Sequence, residues 1–172
     1  NNILLTTDTV LMLERQNAQL DGGPSAVLET TFSAAGISSL NTANLPSTTL
    51  LPVQQISIPA ILENKDCLIS SHTGSGKTIA FLAPFLQKLI EVGEGAANNQ
   101  PKLLIVAPGR ELASQIVEVC RELLPEDCEL GVSLLIGGVP LTRQIETIRK
   151  RKPRIVVGTP GRLVDHLRNS ES

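Results

Sequence analysis

The sequence predicts an α/β fold in three layers, with helices on both faces of a parallel sheet. From Pro52 onward, short apolar runs alternate with segments of helical periodicity. Each connection between successive runs is long enough to carry a crossover helix, and a glycine-rich turn joins the first run to the first long helix. Such alternation produces right-handed crossovers and therefore parallel strands.

Residues 1–30 read as an N-terminal extension, poorly structured or with a short helix from Val10 to Leu20 that Asp21-Gly22-Gly23-Pro24 would end. Residues 31–172 read as one partial domain. Within it Ser38 to Thr49, rich in Ser, Thr, Asn and Pro, is loop with weak helix. Gln54 to Leu62 is helix-compatible, Pro59 confining the break to one end of a turn. Cys67 to Ser70 is the first strand, and a helix runs from Lys77 towards Ile90. The acidic, Gly/Ala/Asn-rich Glu91 to Gln100 is a surface loop. Lys102 to Ala107 is a buried-type strand, followed by a helix from Arg110 to Leu124. Leu130 to Ile136 and Arg154 to Gly158 are the next strands, each followed by a helix: Leu141 to Lys150, then one starting near Pro160. No internal repeat is present. After Arg168 no further strand follows, so the sheet reads as incomplete at its C-terminal end.

A chain of 172 residues, 41% apolar and 19% charged, can build a core of its own. No apolar run approaches the roughly 20 residues that span a bilayer, so no membrane partner is expected. The chain starts at Asn1 without a basic-then-apolar leader, which places any targeting segment outside it. Cys67, Cys120 and Cys128 form no Cys-x-x-Cys and leave one unpaired in any disulfide scheme, so a reducing, intracellular compartment is expected. Neither His72 nor His166 sits at metal-ligand spacing from a cysteine, and both read as surface or loop residues without a catalytic part.

The formal net charge of −2 conceals an asymmetry. Between Arg143 and Arg168 eight Lys/Arg stand against two acids. One basic face on an acidic protein is the footprint of a polyanion partner, although a solvated helix end at Arg149-Lys150-Arg151-Lys152 explains the charge equally well. With no Trp or Tyr and only Phe32, Phe81 and Phe85, the chain lacks platforms for stacking bases. A nucleic acid would have to be held by its sugar–phosphate backbone. Phe81 and Phe85, four apart on one helix, are most simply core.

Ser71-His72-Thr73-Gly74-Ser75-Gly76-Lys77-Thr78 closes the first strand and opens the first long helix. A glycine-rich turn there aims several N–H groups at one point, with the helix dipole behind them, a cradle for the phosphates of a nucleotide. Lys77 adds a mobile charge for the β- and γ-phosphates, and the Thr78 hydroxyl is the expected Mg²⁺ ligand. The strict pattern has glycine where Ser71 stands; the plain alternative is a turn that binds nothing.

Four further segments keep a family's order. Pro52-Val53-Gln54-Gln55-Ile56-Ser57-Ile58-Pro59 places Gln54 23 residues before Lys77. Ala107-Pro108-Gly109-Arg110-Glu111-Leu112-Ala113-Ser114-Gln115 follows the second strand, Gly137-Gly138 the third and Thr159-Pro160-Gly161-Arg162 the fourth. Together with the glycine-rich turn they make residues Phe32 to Arg168 resemble the first RecA-like domain of a DEAD-box ATP-dependent RNA helicase, truncated before its Asp-Glu-Ala-Asp segment. The implied fold is a three-layer RecA-like P-loop NTPase domain.

The resemblance implies ATP and Mg²⁺ at Ser71 to Thr78, with Lys77 and Thr78 the catalytic residues. Gln54 would select adenine, since its amide can donate to N7 and accept from N6, and Phe32 would pack near the base. Arg110, Gly137, Gly138, Thr159, Pro160, Gly161 and Arg162 would touch the RNA backbone without reading sequence. For each of these a plain role remains: a helix-start glutamine, a core phenylalanine, an ion-paired arginine, an ordinary turn. The chain departs from the family pattern at Leu50 and Leu51, where Pro-Thr is usual, and at Gly109, where threonine is common. The Gly-aromatic pair before Gln54 is also missing.

The expected function is a fragment of an RNA-stimulated ATPase that unwinds RNA duplexes locally when paired with a second RecA-like domain. Alone, it is expected to turn over ATP negligibly, because no strand ends in the carboxylate that would hold Mg²⁺ and position water. The alternative is a non-catalytic ATP- and RNA-binding regulatory module. A P-loop kinase or GTPase leaves the arginine and glycine segments unexplained, and the guanine-reading Asn-Lys-x-Asp is absent.

Overall fold

The computed structural model describes residues 30–42, 45, 47–93 and 100–169, together with the backbone of residues 3 and 4. The expected helix at Val10 to Leu20 and most of the loop after Glu91 lie outside the described residues. The chain divides into two compact units, Asn1–Thr6 with Val92–Ser172, and Thr7–Glu91.

The first unit holds a parallel sheet. Its strands are β1 (Ile3–Leu4), β2 (Leu103–Val106), β3 (Val132–Leu135) and β4 (Ile155–Gly158), in the spatial order β1-β2-β4-β3. Helices α3 (Arg110–Leu123), α4 (Leu141–Arg151) and α5 (Pro160–Asn169) follow β2, β3 and β4. The central β4 is buried along its whole length, as a strand covered on both faces must be. In register Leu104 stands beside Val156, and Ser133 beside Val156 on the other side. On that face Leu135, Val156 and Leu163 of α5 form a core that Leu104, Val106 and Ile148 of α4 complete. The route from β2 to β3 passes β4 in one direction and the return from β3 reverses it. Right-handed crossovers therefore put α3 on the opposite face from α4, and the packing of Leu163 puts α5 on the α4 face. There α3 buries Ala113, Ile116, Val117 and Cys120. Burial pushes the Cys120 thiol up to about 12, so it stays protonated and inert.

Element ends differ from the sequence expectation for identifiable reasons. β3 is shorter at both ends because its ladder reaches only as far as the four residues of β4. α4 runs one residue beyond Lys150, ending where Lys152 turns left-handed at φ +46° with Arg149, Lys150 and Arg151 on the negative end of the helix dipole. Ile3–Leu4, assigned by composition to an extension, pairs parallel with Leu103–Leu104.

The second unit contains α1 (Pro52–Leu62) and α2 (Lys77–Val92). Pro59 does not break α1, and Pro84 lies inside α2. Phe32, Ile37, Leu50, Ile58, Leu82 and Leu86 form the core, with Phe85 also buried. The segment after Phe32 is pinned by buried Gln87. Its Oε1 accepts from the Ser38 and Ser39 N–H at 3.1 and 2.9 Å, and its Nε2 donates to Ser39 Oγ and Glu91 Oε1. Lys88 Nζ ties α2 to the end of α1 through Ile61 O and Asn64 Oδ1. Cys67–Ser70, expected as the first strand, forms no ladder among the described residues. A strand exists only where a neighbour pairs its N–H and C=O groups, and none of the four strands pairs with this segment.

Candidate nucleotide and nucleic-acid sites

The glycine-rich turn lies in the second unit, and α2 begins at Lys77 as the sequence implies. Gly74 and Gly76 both have positive φ, +79° and +88°. Lys77 folds back across its own turn, donating to Ser71 O at 2.5 Å and His72 O at 2.7 Å. Ser75 Oγ is buried and has no hydrogen-bond partner. Thr78 is half-buried and His72 exposed. An ammonium held only by carbonyls and a buried hydroxyl without a partner are groups that phosphate oxygens satisfy.

Gln54 is 2% exposed, and both ends of its amide are occupied. Its Oε1 accepts from the Leu51 N–H at 2.9 Å, and its Nε2 donates to Gly76 O at 3.3 Å. The residue thus caps α1 and braces the turn at once, and the side-chain cap is one-sided because Leu51 has no side-chain acceptor to return it. A β-carbon on Gly76 would stand 2.5 Å from Gln54 Nε2, so glycine is required there by space as well as by φ. Phe32 is 4% exposed and belongs to the core of the same unit.

In the first unit the loops after β2, β3 and β4 converge at the carboxyl edge of the sheet. They form an open depression of about 430 Å³, lined by Arg110, Gly137, Thr159, Gly161, Arg162 and Asp165 among others. The first turns of α3 and α5 line it, so their positive dipole ends face the same space. The two arginines differ. Arg110 is exposed, its guanidinium against Gly138, where a β-carbon would stand 3.3 Å from Nη1. Gly138 has φ +93°, a conformation that favours glycine. The Arg162 side chain is only 13% exposed. It donates to Val139 O at 2.7 Å and Gln144 Oε1 at 3.1 Å, and its Nε lies 3.9 Å from Asp165.

Gln144, which sequence reasoning missed, organises this corner. Its Nε2 donates to Ile136 O, while its Oε1 accepts from Arg162 and faces His166 Nε2 at 3.1 Å. The Gly137-Gly138 turn is therefore fastened at both ends, through Ile136 O and Val139 O. The one signal in the sequence was a glutamine on the inner stripe of an otherwise amphipathic helix. His166, expected at the surface, is 8% exposed, because α5 turns it towards Gln144. Burial, then Arg162, lowers its pKa, with Asp165 opposing. Oε1 only accepts, so Nε2 carries the proton of the neutral ring.

A sequence profile for the DEAD/DEAH box helicase matches residues 51–172. The chain is 40% identical over 130 residues to the ATP-dependent RNA helicase DRS1 of Candida albicans, covering 76% of this chain and 20% of that protein. It is 46% identical over 121 residues to the probable ATP-dependent RNA helicase DDX49 of Homo sapiens, covering 70% and 24%. Among solved structures it resembles Mss116p bound to ssRNA and AMP-PNP, with a TM-score of 0.71 and 31% identity over 83% of this chain and 30% of that one. The chain thus spans about a fifth to a quarter of the length of these curated relatives.

Proposed function

Because the chain belongs to the DEAD/DEAH box helicase family, we propose that it carries the ATP-binding turn and part of the RNA-binding surface of an ATP-dependent RNA helicase. The observation that carries this reading is the state of Lys77: at the head of α2, its charge rests on two neutral carbonyls that a triphosphate would displace. Ser71 to Gly76 would offer backbone N–H groups to the phosphates, and Ser75 Oγ would gain the partner it lacks. Thr78 would hold Mg²⁺, which when bound neutralises phosphate charge. Gln54 would select adenine by turning its amide away from Leu51 and Gly76, so base reading and cap compete for one side chain.

RNA would lie in the carboxyl-edge depression. Arg110 would pair with a phosphate there, and Gly137, Gly138 and Thr159 would let the sugar–phosphate backbone approach closely. Arg162, with Pro160 and Gly161 at the start of α5, would mainly hold the turn in place. ATP and RNA would join this domain to a second one in the intact protein, bending one strand and opening a short duplex.

The test is equilibrium binding by the 172-residue chain. MgATP is expected to bind more tightly than MgGTP, and Lys77→Ala is expected to weaken it by about 10–100-fold, the worth of one charge-assisted hydrogen bond. Equal affinity for both nucleotides overturns the role of Gln54. Unchanged affinity in the Lys77 variant overturns the site.

A further inference from the structure

The far edge of the sheet carries a second basic feature, independent of the nucleotide and RNA reading. Among the described residues β3 is an outer strand, paired only with β4. Gly131 and Leu135 turn their carbonyls to the β4 side, where Arg154, Ile155 and Thr159 donate to them. Parallel strands alternate, so Val132 and Leu134 turn both N–H and C=O to the open side. Ile136 C=O, next in that outward series, is already taken by Gln144 Nε2. The free stretch of edge is therefore short and defined.

A groove of about 300 Å³ runs along it, floored by Val132 to Leu135. Arg121 of α3 lines one side, and Arg143 and Arg151 of α4 line the other. Since α3 and α4 cover opposite faces, cations flank both faces of any strand added there. None of the three guanidinium groups has an ion pair or hydrogen bond among the described residues. Exposed edges are commonly blunted by charge. Here the charge has one sign and surrounds both a donor and an acceptor row.

We propose that this edge receives an acidic, extended peptide segment that adds a strand beside β3. Its backbone would pair with Val132 and Leu134, and its alternating side chains would place carboxylates on Arg121 on one face and on Arg143 and Arg151 on the other. RNA fits less well. A phosphate only accepts, so it would use the arginines and meet the outward carbonyls of Val132 and Leu134 as like dipoles, whereas a peptide satisfies both rows.

The probe is the fluorescein-labelled peptide Glu-Glu-Val-Glu-Glu-Val-Glu-Glu, titrated against the full chain by anisotropy. Arg121→Glu combined with Arg143→Glu is expected to weaken binding by at least about tenfold, as for reversed charges in a complementary interface. Lys150→Glu, on α4 but outside the groove, is expected to change it much less. Amide exchange is expected to slow at Val132 and Leu134 on binding, and to stay unchanged at Ser133 and Leu135, already bonded to β4. The proposal is overturned if the arginine pair has no effect, if a lysine-for-glutamate peptide binds equally, or if binding leaves Val132 and Leu134 unprotected. It is also overturned if single-stranded oligouridylate displaces the peptide and depends on the same arginines, which would make the groove a nucleic-acid track.

Discussion

Replacing Gly76 by alanine tests the double use of Gln54 as cap and brace. Gly76 has φ +88°, and placing an L-residue in the left-handed region costs about 1–2 kcal/mol. The added β-carbon would also stand 2.5 Å from Gln54 Nε2 and 2.8 Å from Leu51 Cδ1, too close for either to remain. Gln54 must then withdraw, losing its bond to the Leu51 N–H, a cap worth about 1 kcal/mol. The expected total is about 2–3 kcal/mol, or about 1 M in urea midpoint at an m-value of about 2 kcal/mol/M. Gly74→Ala supplies the control. Its φ is +79° but nothing lies within 4 Å of the added carbon, so it carries the backbone cost alone. Urea unfolding followed by circular dichroism is expected to place Gly76→Ala below Gly74→Ala. In a Gln54→Ala background the gap is expected to narrow to what the 2.8 Å contact with Leu51 Cδ1 still costs, since the clash with Gln54 and the cap are then both gone. Equal midpoints for the two alanine variants, or a gap undiminished without Gln54, would refute the reasoning.

Gln144→Met keeps the volume of the side chain but leaves the Arg162 and His166 donors short of an acceptor, so a loss of about 1–3 kcal/mol is expected in urea titration. Its RNA affinity should fall as well, because Ile136 O loses its donor and the Gly137-Gly138 turn is left fastened only at Val139 O. Arg110→Ala is expected to weaken RNA binding across sequences and to reduce the slope of log affinity against log salt by about 1; an unchanged slope would remove Arg110 from the phosphate contacts. His166, whose folded pKa lies below its unfolded value, binds more protons when unfolded, so the chain should lose stability as pH falls through about 6.5. His166→Gln should flatten that dependence between about pH 7.5 and 5.5, measured as urea midpoints. The 172-residue chain should show no RNA-stimulated ATP turnover in a phosphate-release assay, since no described strand ends in a carboxylate.

Periodicity located the helices and three of the strands to within a few residues because each buries an apolar stripe or a continuous apolar run. It failed at Cys67–Ser70 for the same reason. An apolar run states only that a segment can be buried, whereas a strand also requires a neighbour to share its backbone groups. The glycine segments were legible because sterics demand them: Gly76 and Gly138 have positive φ and each meets a side chain at close range. Gln144 and His166 were illegible. Beyond the place of Gln144 on the inner stripe of α4, their local sequence does not distinguish a glutamine or histidine that faces inward from one that faces water. Only packing α4 and α5 on the same face brings the two within 3.1 Å.

Arg110 and Arg162 show why a motif identifies a place more securely than a role. Both follow strand ends in the same depression, and sequence reasoning treated them alike. In the fold, Arg162 spends its donors on Val139 O and Gln144, and its charge lies near Asp165. A charge so satisfied gains little from a new anion, because each bond to the anion replaces one already made. Arg110 touches the turn at Gly138 but keeps its donors open among the described residues, so a phosphate there would form bonds without breaking any of those described. The same distinction separates Lys77, whose two carbonyl bonds stay within its own turn, from Lys88, whose bonds to Ile61 O and Asn64 Oδ1 join two helices. Alanine at Arg162 or Lys88 should therefore appear first as lost stability, and alanine at Arg110 or Lys77 first as lost affinity with the urea midpoint nearly unchanged. A variant of Arg162 with native stability but no RNA binding would reverse that assignment.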